Sequence, residues 1–417
     1  MRKKHGAAAC LSHEYRSDSW SGRMEVLSES PRISSLVVNL KLSEKCNLNC
    51  DYCYYYADAY SDVHERPALL RSDVSRQAIA RLVEATEDYD IGELAIAFHG
   101  GEPTLMNPRA FRALCADIVE KLRPRVGVLH LITQTNGVHL SDDWLEVARE
   151  FDVHIGVSLD GPRDYNDIHR LDHKGRGSYD RIERTLQRLQ RAAREGHIRP
   201  ISLIAVLNPD FDYGRVYDHF VDTLGVGLLN FLLPDHSWDS LSADSVEMDR
   251  FGDALCLMFE RWLLTGQDNV YVKQFSDVLH RIALHRRGVA LDMSAVNLVI
   301  HSDGDMALND SYMAALAWFR TQQHFNVRTA SFRQWMNQPI MREIERAYRT
   351  LPDQCMGCRH KAICRGGELE HRFSSDAGFN NRSVYCSVLK RLYDTIQAAL
   401  AEGDRHANAA VVEVAHA

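Results

Sequence analysis

Between Ser35 and about Pro234, short and almost wholly apolar runs alternate with stretches of helical period, and this alternation leaves few architectures open. The runs lie at 36–42, 93–99, 128–134, 153–159, 201–207 and 228–233. Strands covered on both faces read this way. Between them, 73–87 carries Val74, Ala78 and Leu82 on one helical face. A second helix is expected to start behind Ser178 as N-cap, with Ile182, Leu186, Leu189 and Ala193 in phase. Six β-α units in succession predict an α/β fold with a parallel sheet and right-handed crossovers. Periodicity does not separate an open doubly wound sheet from a barrel. In both, ligands bind at the carboxyl ends of the strands.

Those ends carry the chemistry-bearing residues. The first run leads into Cys46-Asn47-Leu48-Asn49-Cys50-Asp51-Tyr52-Cys53, a C-x3-C-x2-C spacing. Three thiolates can hold three irons of a [4Fe–4S] cluster, whose usual complement is four. One iron then stays open, as catalytic metal sites keep an open position. The alternatives are zinc, for which His64 is the only nearby fourth ligand, or three buried small apolar residues. The second run ends in His99-Gly100-Gly101-Glu102-Pro103-Thr104, where two glycines would let the backbone approach a ligand. An ordinary turn reads the same way. The third ends in Gln134-Thr135-Asn136-Gly137 and the fourth in Ser158-Leu159-Asp160-Gly161-Pro162. These place small polar groups where a polar ligand needs them, although turn chemistry also accounts for Asn-Gly and Asp-Gly-Pro. Far downstream, Cys355-x2-Cys358-x5-Cys364 and Cys386 offer four thiolates, the donor set of zinc or of one [4Fe–4S] cluster.

Seven of the ten cysteines fall in these two sets, which is ligand usage and needs a reducing compartment. Cys115 and Cys256 lie on apolar faces of expected helices and read as core; Cys10 lies in a polar lead-in. The net charge of −8 argues against a nucleic-acid partner. No apolar run reaches the ~18 residues of a membrane span. No long apolar segment follows the basic Met1-Arg2-Lys3-Lys4-His5 start. The expected location is the cytoplasm, with no membrane partner. The chain divides into a lead-in (1–34), the β-α region (35–240), two bridging helices (241–290), a cysteine-bearing module (291–403) and a tail (404–417). In the module, 296–310 reads as a hairpin turning at Asp303-Gly304, followed by a helix at about 331–349. An amphipathic helix follows Cys386.

With Tyr52 just before its third cysteine, the first loop resembles the cluster loop of radical S-adenosylmethionine (radical SAM) enzymes. The resemblance implies a partial (β/α)6 barrel whose open iron chelates SAM. It implies that Gly100, Gly101 and Glu102, as a GGE motif, hold the SAM amino group. Tyr52, Asn136, Ser158 and Asp160 would line the cofactor, and Arg170, in His169–Ser178, would pair the SAM carboxylate. The guanidinium fork suits that partner; a solvated surface arginine is the plainer reading. The second cysteine set resembles the SPASM extension of peptide maturases and implies one auxiliary [4Fe–4S] cluster on Cys355, Cys358, Cys364 and Cys386. Asn309 and Glu368 stand where that extension has cysteines for an inner cluster, so the inner cluster is expected to be absent.

The segment Cys364–Cys386, with Leu233-Pro234-Asp235-His236-Ser237-Trp238 and the Ser302-Asp303-Gly304 turn, resembles cyclophane-forming maturases. That implies a precursor-peptide substrate, hydrogen abstraction at a β-carbon and bonding of that carbon to an aromatic ring. It also implies a flavodoxin or ferredoxin electron donor. Asp310 or Asp303 would accept the proton. Epimerisation, thioether formation and sulfatase-maturase-type oxidation are the alternatives, the missing inner cluster counting against the last. A non-catalytic iron–sulfur or zinc protein that only binds a peptide would have no need of the strand-end residues.

Overall fold

The computed structural model describes residues 31–56, 63–241, 245–265, 269–290 and 295–415. Most of the expected lead-in, with Cys10, lies outside the described residues, as do the side chains of the expected tail. All six apolar runs form strands: β1 (Arg32–Ser43), β2 (Asp90–Gly100), β3 (Val128–Thr135), β4 (His154–Ser158), β5 (Ser202–Val206) and β6 (Leu228–Leu232). They pair in sequence order and all in parallel. The intervening helices close over the sheet with their apolar faces. Helix Ser72–Asp88 buries Val74, Ala78, Ile79 and Leu82; helix Pro108–Leu122 buries Phe111, Leu114, Cys115 and Ile118. Phe111 stacks on Trp144 of helix Asp142–Glu150 at 3.8 Å between centroids. Each such large apolar side chain stabilises the fold by about 1.5–3 kcal/mol. Cys115 and Cys256 are buried in this core, as their apolar faces implied.

The sheet extends beyond six strands. A two-residue strand, β7 (Tyr271–Val272), adds to β6 in parallel between helices Ser245–Thr265 and Lys273–Arg286. The expected hairpin is present as β8 (Val296–Ile300) and β9 (Asp305–Ala307), with Gly304 at φ +95° in the turn. It is part of the main sheet: β8 runs parallel to β1, from Leu36 opposite Val296 to Leu40 opposite Ile300. The short β10 (Phe325–Asn326) completes the edge, for the order β10-β9-β8-β1-β2-β3-β4-β5-β6-β7. The fold is α/β on a parallel sheet, as the resemblance to the radical SAM barrel implied, with the segment after Arg287 wrapped onto its first strand.

Two local expectations change. Ser178 occupies the N-cap of helix Tyr179–Arg194, but its hydroxyl caps nothing and accepts a hydrogen bond from Asn166. Asp167 Oδ1 accepts from the Ser178 and Tyr179 amides instead, at 2.8 and 2.9 Å. A carboxylate suits the positive end of a helix better than a hydroxyl does. The single helix expected at 331–349 is two, Phe332–Met336 and Pro339–Arg349. Pro339 has no N–H to continue the first helix and disfavours helical backbone at Gln338, but its fixed φ suits a new first turn. Among the described residues, no helix is long and apolar enough to cross a membrane.

Candidate active site

Three cysteines leave β1 together at the carboxyl end of the sheet. Cys46, Cys50 and Cys53 are half-buried and unbridged. The loop that carries them is pinned on several sides. The Gly101 and Glu102 amides donate to the carbonyls of Ser43 and Lys45, at 2.8 and 2.9 Å. The Asn49 amide donates to the Leu171 carbonyl at 2.7 Å, and His173 Nε2 lies 2.9 Å from the Cys46 carbonyl. The His169–Lys174 stretch is therefore a brace for the cysteine loop. Burial, with the charges of Glu102 and the other two cysteines, pushes Cys46 up to about 12; burial pushes Cys50 up to about 11, against the charge of Arg170. Such thiols stay protonated until a metal centre displaces the protons.

Glu44 forms the floor on the β8 side. Tyr55 Oη donates to its Oε2, the Ser302 amide donates to Oε1 at 3.0 Å, and His301 Nδ1 lies 3.4 Å away. Burial works to raise its pKa, yet His301, Tyr55 and Ser302 outweigh it and hold the carboxyl at about 2. Beside it the ammonium of Lys41, wholly buried in β1, pairs with Asp310 and lies 3.3 Å from His99 Nδ1. It also sits 4.3 Å over the Tyr55 ring. Burial, then the Lys41 charge, depresses His99 to about 3, so its imidazole is neutral. Asp310 Oδ1 is buried and has no hydrogen-bond partner. Asp303, by contrast, is held by Arg66 at 2.6 Å in the hairpin turn.

The structure brings together the strand-end residues singled out in the sequence. Tyr52 Oη donates to Asp160 Oδ2 at 2.6 Å and accepts from Arg170 Nη1 at 2.8 Å. Arg170 is 7% exposed, which excludes the solvated-surface reading. Burial opposes its charge, but Tyr52, Asp160 and Cys50 outweigh that and hold its pKa above the ordinary value. Its Nε is buried without a partner. Asn136 Nδ2 lies 3.5 Å from Cys46 Sγ and donates to Asn47 Oδ1 at 2.6 Å. Ser158 Oγ accepts from Gln134 at 2.8 Å.

The glycines of the GGE segment are required by the chain's own packing. A Cβ on Gly101 would lie 1.8 Å from Tyr56 Oη and 2.5 Å from the Lys45 carbonyl oxygen. One on Gly100, at φ +134°, would lie 2.1 Å from the Ser43 carbonyl oxygen. The glycines let the cysteine loop close against β2. Glu102 is fully buried. It accepts from the Thr104 amide and hydroxyl and the Thr135 hydroxyl on Oε1, and from the Asn136 amide on Oε2, all within 3.1 Å. Its carboxylate thus ties the ends of β2 and β3 together.

Cys355, Cys358, Cys364 and Cys386 line one cavity, with His360, Lys390, Arg382 and Tyr393 around them. All four are unbridged. Burial, then the charges of Cys386 and Cys355, pushes Cys364 up to about 11. Four convergent thiols with lysine and arginine nearby fit an anionic thiolate-bound metal centre. The first set fits equally: three thiols, with Arg170 charge acting on Cys50 and Lys41 charge on Cys53.

Sequence reasoning missed Lys41, Glu44 and His301. Lys41 had left a signal, a single charge inside the apolar run Val37–Leu42.

Residues 40–218 match the Radical SAM superfamily. Curated relatives include a serine-type anaerobic sulfatase-maturating enzyme of Bacteroides thetaiotaomicron, 24% identical over 378 residues, covering 85% of this chain and 87% of that protein. A cysteine-type enzyme of Clostridium perfringens is 22% identical, covering 84% and 93%. Among solved structures, native anSMEcpe with bound AdoMet superposes with TM-score 0.74 at 20% identity, covering 89% of this chain and 99% of that one. Streptococcus suis SuiB bound to its precursor peptide SuiA gives 0.58 at 16% identity, covering 86% and 76%. Residues 40–218 form a radical SAM domain, and the protein is a radical SAM enzyme whose cofactors are SAM and [4Fe–4S] iron–sulfur clusters.

Proposed function

We propose that this enzyme oxidises a side chain within a peptide or protein by removing a hydrogen atom from it. The observation that carries the reading is coverage. The likeness to sulfatase-maturating enzymes runs over 84–85% of the chain, too much to be confined to the barrel and so taking in at least part of the cysteine module. The reaction those relatives support best is oxidation at the β-carbon of a serine or cysteine in a target protein. The expected weakness of this reading, the missing inner-cluster cysteines, is outweighed by that coverage. Crosslinking of a peptide aromatic ring to a β-carbon is the second reading. Asn309 and Glu368 favour it, because no thiol remains at those positions to bind a further cluster.

When bound at Cys46, Cys50 and Cys53, the reduced cluster and SAM supply a 5′-deoxyadenosyl radical. The chain's own groups hold and orient. Arg170 would pair the SAM carboxylate, its guanidinium held by Tyr52, which Asp160 holds in turn. Asn136 orders the cysteine loop against β3, and the GGE segment, Gly100, Gly101 and Glu102, would hold the SAM amino group. Either oxidation also releases an electron, for which the auxiliary centre would be the acceptor, and a proton. Asp310 is suited to take the proton, since one oxygen rests on Lys41 and the other is buried without a hydrogen-bond partner. Asp303, engaged by Arg66, is less suited. Cys355, Cys358, Cys364 and Cys386 hold the auxiliary cluster. The electron donor is a reduced flavodoxin or ferredoxin, in the cytoplasm.

The test is anaerobic reconstitution with SAM and reductant, and with short peptides encoded beside the gene or synthetic peptides bearing serine, cysteine or an aromatic residue. Release of 5′-deoxyadenosine is expected, with loss of two hydrogens from a serine or crosslinked peptide, or with loss of two hydrogens and then exchange of sulfur for the oxygen of water, releasing sulfide, from a cysteine peptide. A hydrazine reagent then separates an aldehyde, which it traps, from a crosslink, which it does not. A fully iron-loaded sample that releases no 5′-deoxyadenosine under reduction refutes the reading.

A further inference from the structure

Past the end of β6, Asp235 meets two residues of the cysteine module, Glu370 and His371. One carboxylate oxygen from each acid and one imidazole nitrogen lie within 4.8 Å of one another. Two acids near a histidine are common on protein surfaces, but this histidine is not a surface group. His371 is 6% exposed, and its Nε2 is buried with no hydrogen-bond partner. Its ring is held from behind. The Pro234 carbonyl supports the imidazole, Tyr385 Oη donates to that same carbonyl at 2.9 Å, and the Tyr385 ring packs edge-on at 4.9 Å. A histidine fixed by a backbone carbonyl on one side and bare on the other is the usual posture of a metal ligand.

The charges around it agree. Burial drives His371 down to about 4, so the ring is neutral and its free nitrogen is a lone pair. Burial, then the charges of Glu370 and Asp310, raises Asp235 to about 7. Burial also raises Glu370, against the hydrogen bond from Ser311. Of the other ionic groups acting on the cluster, Asp310 pairs with Lys41 and Glu368 with Arg281 at 4.0 Å, while burial lowers the pKa of His236. Acceptors thus face acceptors, with no ion pair reaching either Asp235 or Glu370 among the described residues. Leaving the buried His371 Nε2 without a partner is costly unless a cation enters between it and the two carboxylates. Two carboxylates and one neutral imidazole form a mixed hard and borderline donor set, suited to Mn²⁺, Fe²⁺ or Zn²⁺.

We propose that Asp235, Glu370 and His371 form a divalent-cation site at the mouth of the barrel, distinct from both cysteine sets. Asp235, the exposed member, lies on the side from which the ion enters, and three protein ligands leave positions open for an oxygen of a bound molecule. The site joins the end of β6 to the cysteine module, so an ion there would also fasten the two. This inference does not depend on which substrate is oxidised.

The experiment is Mn²⁺ titration of the full-length, iron-loaded enzyme near pH 7.5, followed by the electron paramagnetic resonance of free Mn²⁺. Oxidised [4Fe–4S] clusters are diamagnetic and do not interfere. A single saturable equivalent is expected, displaced by Zn²⁺. His371→Ala and Asp235→Asn should each weaken binding by about tenfold or more, while Asp239→Asn on the nearby surface should leave it unchanged. Iron content and the unfolding midpoint of each variant report whether it has folded. Should His371→Ala not fold, the isosteric Glu370→Gln carries the same expectation. Absence of a stoichiometric Mn²⁺ site, or a site indifferent to these substitutions, overturns the proposal.

Discussion

Lys41 and Asp310 form a buried ion pair, although 269 residues separate them in sequence. The pair ties the interior of β1 to the 3-10 turn that follows β9, and it lies beside His99 and Tyr55 under the cysteine loop. Removing one partner leaves a charge with no water to solvate it. Lys41→Met should therefore destabilise the protein by about 3–5 kcal/mol. Replacing both, as Lys41→Met with Asp310→Leu, should recover much of that loss, because two apolar groups can fill the site without a desolvation penalty. Denaturant unfolding of the two variants checks this; equal losses in both would mean the pair is not the source of the stability.

Gly101 should tolerate no side chain. An alanine Cβ would meet Tyr56 Oη and the backbone of Lys45, and the second of these cannot rotate away. Lys45 directly precedes Cys46, so the clash displaces the first cysteine of the loop. Gly101→Ala is expected to reduce iron loading at the first set alone, taking a reconstituted sample from about eight to about four irons per chain. Release of 5′-deoxyadenosine should be lost with it. An alanine variant that retains full iron and SAM cleavage would show that the loop can move aside.

The strands were legible because each is apolar on both faces and short, and each expected range agrees with the structure to within a few residues. The cysteine spacing was legible because metal ligation restricts spacing strongly. The environment of Glu102 was not. Nothing local says that Thr104, Thr135 and Asn136 would converge on one carboxylate. The parallel pairing of β8 with β1 was equally hidden, since a Ser-Asp-Gly signal specifies a turn but not the neighbour of the hairpin. At Pro339 the apolar period continues through Ile340 and Ile344, and period outweighed the proline in the reading that joined two helices.

The Glu44 site gives stability a dependence on acid. Folded Glu44 holds its proton only near pH 2, against an ordinary value of 4.5. Above pH 4.5 the carboxylate is ionised in both states, and its hydrogen bonds contribute in full, roughly 3 kcal/mol for a shift of this size. As pH falls from about 4.5 towards 2, the unfolded chain takes up the proton first, and the contribution is lost. Glu44→Gln should thus be less stable than the parent at pH 7, with the gap narrowing steadily towards pH 3. Urea unfolding at several pH values measures it. A constant gap would assign the effect to packing around Tyr55 and His301 rather than to ionisation.

The auxiliary cysteines present a choice between two metals that iron analysis can resolve. Cys386 opens the long helix Cys386–Ala415, so its thiol is placed by regular structure, while Cys355, Cys358 and Cys364 come from short turns. Replacing the helix-borne ligand should empty the site without unfolding the barrel, whose core lies elsewhere. Cys386→Ala is therefore expected to retain the first cluster and its SAM cleavage while total iron falls from about eight to about four. Turnover of a peptide should fall more steeply than SAM cleavage if the auxiliary centre receives the electron released by the oxidised substrate. A parent enzyme that already holds about four irons and one zinc would make this site structural, and Cys386→Ala would then lose zinc and thermal stability but leave the chemistry to the barrel.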